Sequence, residues 1–237
     1  MADYPLVMKA EGDGDFVVRC GMREIIAPDP DLGNLEPIGS IAYSTWRGLA
    51  VMANGDVWGA SYTDDIYIHY GGEGPSVALG QGFRGGGEIA VAPNGDIYAC
   101  NPSVDIFKMS GGTGNLVALG ANPDPEDPEN WRGVTVAPNG DVYACSFPGD
   151  IYKSSNGGLS WTPLGQGDHS WYGMAAAPNG DIYVVNSEID IYIQKGGSGN
   201  FTALGFSTLD YWSVACGTQG DVYVGCSNGA IYRRARL

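Results

Sequence analysis

Residues 133–145, Gly133-Val134-Thr135-Val136-Ala137-Pro138-Asn139-Gly140-Asp141-Val142-Tyr143-Ala144-Cys145, decide the fold. Two short runs of alternating apolar residues flank Asn139-Gly140. Asn-Gly in that setting signals a hairpin, because both residues tolerate the positive φ of a type I′ turn. Downstream, Asp150 to Lys153 and Trp161 to Leu164 read as a third and a fourth strand. The connections are too short for a helical crossover of about a dozen residues, so the four strands form an antiparallel meander.

The same string recurs along the chain. Asn54-Gly55-Asp56-Val57-Trp58, Asn94-Gly95-Asp96-Ile97-Tyr98, Asn179-Gly180-Asp181-Ile182-Tyr183 and Gln219-Gly220-Asp221-Val222-Tyr223 repeat it, and Asp13-Gly14-Asp15-Phe16-Val17 is a worn copy. The motif aspartates at 15, 56, 96, 141, 181 and 221 set a period of 40 residues, stretched once by the insertion Ala121 to Asn130. Asp-Ile-Tyr or its equivalent follows nine residues after the motif aspartate, and an aliphatic-Gly pair such as Leu119-Gly120 or Leu164-Gly165 follows after 23. A lone meander cannot bury both faces, so tandem units must stack as the blades of a β-propeller. The count of copies predicts one all-β domain over 1–237: six blades, four-stranded and antiparallel, from units at about 5–40, 46–85, 86–130, 131–170, 171–210 and 211–237. The chain ends before a last aliphatic-Gly pair, so the final blade is expected to have three strands, with Arg233, Arg234 and Arg236 guarding its edge. The aromatics two residues after the motif aspartates, Trp58, Tyr98, Tyr143, Tyr183 and Tyr223, are expected in the seams between blades.

Composition agrees. Gly and Pro supply 38 and 14 of the 237 residues, which disfavours long helices, and no apolar run approaches a membrane span. A formal charge of -15 repels phosphate backbones, so nucleic acid and membrane insertion are excluded as expectations. The start, Met1-Ala2-Asp3-Tyr4-Pro5, lacks the basic and apolar stretches of a secretory signal, which points to a cytoplasmic or virion-associated protein. Five cysteines without a C-x-x-C pair predict reduced thiols, no metal site and no cofactor.

Ser154-Ser155-Asn156-Gly157-Gly158-Leu159-Ser160-Trp161 resembles the Asp-box of bacterial neuraminidase-type repeats, with Asn in place of Asp and Ser in place of Thr. The Pro-Asn-Gly-Asp-(Ile/Val)-Tyr strings resemble NHL and gluconolactonase-like propellers, and the dense repetition is similar in texture to phage tail and adhesion propellers. These resemblances imply the propeller architecture, which hosts enzymes, lectins and scaffolds alike.

The recurrent aspartates read as turn-stabilising groups, since one per blade at a fixed place is what a structural role demands. His69 and His169 lie in no catalytic or metal motif, and no catalytic residue is assigned. Ten residues before the motif aspartates stand Pro5, Trp46, Gly86, Trp131, Trp171 and Tyr211, where the chain enters each innermost strand. An aromatic ring at one mouth of the channel, flanked by Arg47, Arg84 and Arg132, suits a saccharide: aromatics stack on its C–H face and polar groups bond its hydroxyls. The alternative is that the indoles wedge between blades and never meet solvent. The expected function is therefore a non-enzymatic lectin-like binder of a glycan or cell-surface receptor, as a phage adhesion component. A scaffold contacting other virion proteins ranks second. A sialidase-like glycosidase ranks third, because its Tyr-Glu pair and Arg-Ile-Pro signature are missing.

Overall fold

A computed structural model describes residues 46–234, except 73–74, 83–85, 103, 122–128, 188–189, 207–209 and 227–230. Its strands follow the repeat. The first blade holds β1 (Trp46–Val51), β2 (Val57–Ser61), β3 (Ile66–His69) and β4 (Val77–Ala78); the second holds β5 (Ile89–Val91), β6 (Ile97–Asn101), β7 (Asp105–Met109) and β8 (Val117–Ala118). The third comprises β9 (Trp131–Val136), β10 (Val142–Ser146), β11 (Ile151–Ser154) and β12 (Thr162–Pro163). The fourth comprises β13 (Trp171–Ala176), β14 (Ile182–Asn186), β15 (Ile191–Gln194) and β16 (Thr202–Ala203). The fifth has three strands, β17 (Tyr211–Cys216), β18 (Val222–Cys226) and β19 (Ile231–Arg234). Each sheet is an antiparallel meander in chain order.

The blades among the described residues are five, not the six expected from sequence. Each is built on one of the five intact copies of the Asn/Gln-Gly-Asp turn. The expectation of six also counted the worn copy Asp13-Gly14-Asp15, whose unit, 5–40, lies outside the described residues.

The turn itself is wider than a two-residue type I′ hairpin. Ala137 N–H bonds Asp141 O at 2.9 Å and Gly140 N–H bonds Ala137 O at 2.9 Å, with Gly140 at φ 88°. Such a turn needs one left-handed residue, which glycine supplies without steric cost. The aspartate then fastens it: Asp96 Oδ1 accepts Gly111 N–H at 2.8 Å, its other oxygen accepts Asn94 Nδ2–H at 3.0 Å, and Lys108 pairs with it at 2.7 Å. The second aspartate set explains the aliphatic-Gly marker. Asp150 accepts Ile151, Gly165 and Gln166 N–H at 2.7 Å each, pinning the fourth strand to the third, and Asp190 does the same for Ile191, Gly205 and Phe206. Both sets thus serve the scaffold.

Four apolar seams hold the blades together. Trp58, Ile68, Ile89 and Met109 join the first and second; Tyr98, Ile106, Trp131 and Val142 join the second and third. Tyr143, Trp171, Ile182 and Phe201 join the third and fourth, and Tyr183, Ile193, Tyr211 and Val224 join the fourth and fifth. Tyr98 and Tyr143 also donate their hydroxyls across the seams, to Gly157 O at 3.2 Å and Gly197 O at 2.9 Å. Arg233 pairs with Asp221 on the fifth blade, while Arg236 lies outside the described residues.

Candidate functional site

The innermost strands β1, β5, β9, β13 and β17 surround a channel, and three successive positions on them do different work. At the first stand Trp46, Gly86, Trp131, Trp171 and Tyr211. Trp131 and Trp171 are 0% and 1% exposed and Tyr211 is 3% exposed, each wedged into the seam with the preceding blade. Trp46 is half-buried, edge-on to Tyr67. Trp131, Trp171 and Tyr211, expected to line the mouth, are therefore packing residues.

One residue later the strand bulges. In β1 the pairing steps from Trp46↔Ser61 to Gly48↔Ala60, and β9, β13 and β17 show the same irregularity at the same place. A bulge leaves one residue unpaired and re-aims its side chain. The residues so presented are Arg47, Arg132, Tyr172 and Trp212. Arg47 is exposed, its guanidinium carbon 4.9 Å from the centre of the exposed Tyr62 ring. Arg132 sits against the paired rings of Phe147 and Tyr172, at 5.6 and 5.7 Å from their centroids, which are 5.1 Å apart. Tyr172 in turn stacks on Trp212 at 5.1 Å and 28°, and Trp212 is 48% exposed. The arginine Nε is buried with no hydrogen-bond partner, and among the described residues no carboxylate pairs with its guanidinium. A buried donor without an acceptor costs free energy unless something supplies one. Arg84 lies outside the described residues.

The third position faces the axis. It holds Gly48, Gly133 and Gly173, where inner strands approach so closely that a Cβ on Gly48 would stand 2.6 Å from Ile89 N and one on Gly133 2.7 Å from Tyr172 O. Ser213 takes the place in the fifth blade, and the second blade has Glu88. Its Oε2 accepts Val134 N–H and Met174 N–H, each at 3.2 Å, so one carboxyl bridges to the third and fourth blades. Burial pushes its pKa from 4.5 up to about 8, outweighing those two amides, which pull the other way. Behind it, the Cys100 and Cys145 thiols are buried and pushed up by the same loss of solvent, reinforced by Glu88. They are unreactive packing groups. A cavity of about 430 Å³ runs along the channel, and Arg47 and Glu88 are the charged residues on its wall.

Both histidines lie away from this constellation. His69 Nε2 meets Ser76 Oγ at 2.9 Å, and His169 packs edge-on against Trp171. Among the described residues no cluster of three metal-ligating side chains forms, and no helix is long and apolar enough to cross a membrane. The Asp-box-like turn is locked by Asn156 Oδ1, which accepts Ser154 Oγ–H at 2.9 Å and Ser160 N–H at 3.0 Å.

No protein-family model matches the chain, and no curated protein does. Among solved structures it is similar to a streptogramin B lyase, at 17% identity and a TM-score of 0.60, covering 80% of this chain and 68% of that one. A gluconolactonase from Xanthomonas campestris is similar at 13% identity and a TM-score of 0.63, covering 81% and 75%. Regucalcin from Agrobacterium tumefaciens, a calcium-binding protein, is similar at 16% identity and a TM-score of 0.62, covering 79% and 70%. Likeness at this identity shows the β-propeller fold. It is consistent with the NHL and gluconolactonase-like resemblance; membership of the neuraminidase-type Asp-box group is not shown. The expectation of a non-enzymatic protein is corrected by the same comparison: a lyase and a lactonase share this architecture, so the fold gives no ground for excluding catalysis.

Proposed function

We propose that this propeller takes an acidic, ring-bearing small molecule, with acidic saccharides as the leading class, over the bulged residues Arg47, Arg132, Tyr172 and Trp212, and that the bound molecule is a substrate. The observation that carries the reading is Arg132, its Nε buried without an acceptor and its guanidinium set against the paired rings of Phe147 and Tyr172. A carboxylate satisfies such a donor fork bidentately, in the strongest class of hydrogen bond. The exposed Trp212 ring beside it offers the flat apolar surface on which a sugar stacks its C–H face. On a chain of net charge -15, arginines presented on two of the inner strands favour an acid group at this end of the blades over the rest of the surface. The cavity below, about 430 Å³, lies in the range of small-molecule sites. The enzymatic similar structures support the substrate half of the proposal, at the level of architecture.

The test is a panel of uronic and sialic acid saccharides with their neutral counterparts, plus fluorogenic glycosides and lactones, scored for binding and for product. Acidic members should bind at least about tenfold more tightly than neutral ones, with product formed from one class, and Arg132→Ala should erase the preference. Equal binding of neutral and acidic members contradicts the site, and binding without product removes the substrate half.

A further inference from the structure

Glu88 stands where three of the other four inner strands have glycine and the remaining one serine. A side chain there is expensive in space, so its retention at the closest approach of the strands asks for a reason. Holding blades together explains one oxygen: Oε2 takes the amides of Val134 and Met174. It leaves the other unexplained, since Oε1 makes no hydrogen bond among the described residues, is not sealed from solvent, and belongs to a residue on the cavity wall. The mouth is immediately above, because Gly133, whose Cβ would lie 3.0 Å from Glu88 Oε2, directly follows Arg132.

We propose that Glu88 is the polar anchor at the floor of the ligand site, and that in its protonated form it donates an Oε1 hydrogen bond to an uncharged oxygen of the ligand, a hydroxyl, ring or carbonyl oxygen. This inference rests on the reading of the mouth as the binding site. It divides recognition by charge: the arginines read the acid group and Glu88 reads a neutral acceptor about one residue deeper. Two features favour the proton: the inner strands crowded around the carboxyl push its pKa up to about 8, and among the described residues no cation pairs with it. The ionisable groups around it are Cys100 of β6, Cys145 of β10, Arg132 of β9 and Arg47 of β1; the two thiols are held protonated by burial, and Arg132 is turned to its aromatic neighbours. A neutral carboxyl donates one bond that a carboxylate cannot. Ligand affinity should then fall as pH rises through the Glu88 pKa, about tenfold for each unit above it.

Two measurements on the full chain test this. Carbonyl-labelled glutamate NMR, with the Glu88 signal assigned by its loss in Glu88→Gln, should show a titration midpoint near 8. A midpoint in the ordinary carboxylate range overturns the inference, whatever binds. Binding of glucuronic acid and N-acetylneuraminic acid between pH 6 and 9 is the second. Wild type should lose affinity above pH 8, while Glu88→Gln, whose amide keeps an acceptor for the two backbone amides and a donor for the ligand, should hold it. Affinity independent of pH in wild type, or pH-dependent alike in both, overturns the inference. Arg132→Ala distinguishes the premise: it should weaken binding at every pH without moving the Glu88 midpoint. If neither acid binds wild type at any pH, the reading of the mouth fails and the ligand half of this inference fails with it, while the NMR midpoint still decides the protonation.

Discussion

The two ends of each blade repeat to different degrees, and the contrast points to the proposed site. At the hairpin end, Asn54-Gly55-Asp56, Asn94-Gly95-Asp96, Asn139-Gly140-Asp141 and Asn179-Gly180-Asp181 make the same amide bond to the aspartate and the same backbone closure. At the bulge end, the equivalent residues are Arg47, Gly87, Arg132, Tyr172 and Trp212, no two neighbouring blades alike. Sameness marks what every blade needs in order to fold. Difference at a place where the backbone deliberately turns a side chain outward marks what the ring presents to something else. Within a single strand the boundary is one residue wide: Trp171 is sealed in a seam and Tyr172, next to it, stacks on the exposed Trp212.

The sharpest way to break this contrast is to strike the sealed position. Trp131→Ala removes a fully buried indole that packs against Tyr152 at 5.1 Å and Trp161 at 6.4 Å, and should cost about 3–5 kcal/mol by the usual penalty for truncating a core aromatic. Chemical denaturation would measure it. A loss below about 1 kcal/mol, typical of a surface change, would mean that the ring is not in the core.

A smaller effect is expected at the hairpin end. Burial pulls the Asp141 carboxyl upward, but its bonds to Lys153 at 2.8 Å and to Asn139 outweigh this and hold its pKa below 3.8. A carboxyl lowered on folding stabilises the protein above its unfolded pKa, and that contribution is lost as pH falls through the folded value. Asp141→Ala should therefore cost about 1–3 kcal/mol at neutral pH, for the lost bonds of a partly buried charged group. The difference from wild type should narrow below pH 4. A penalty unchanged from pH 7 to pH 3 would assign the effect to the turn geometry alone.

Much of this was legible in the chain itself, and the parts that were not share a cause. The 40-residue period, the meander and the seam aromatics follow from hydrophobic alternation and turn chemistry, which are local. The bulge is not local in that sense: nothing in Trp131-Arg132-Gly133 marks the middle residue as unpaired, and a one-residue slip exchanges the faces of a strand. So Arg47 and Arg132 entered the reading by adjacency to the aromatics, while Trp131, Trp171 and Tyr211 stand one position from the bulged groups, and nothing local pointed to Tyr172 and Trp212. Glu88 carried a usable signal, a carboxylate in a column of glycine and serine, visible once the copies are aligned at the third inner-strand position. The count of six rested on the weakest copy, in which Phe16-Val17 stand where the others have Val or Ile followed by an aromatic, and Glu24-Ile25-Ile26 where most have Asp-Ile-Tyr or its equivalent.

The central claim is that sealed and presented residues alternate across the bulge, and a paired comparison of Trp171→Ala with Trp212→Ala tests it most directly, each measured for unfolding free energy and for binding of N-acetylneuraminic and glucuronic acids. The account predicts that Trp171→Ala loses about 3–5 kcal/mol of stability, whereas Trp212→Ala stays within about 1 kcal/mol of wild type and loses at least about tenfold in affinity. Trp212→Ala destabilised as much as Trp171→Ala, or binding the acids as tightly as wild type, would contradict it.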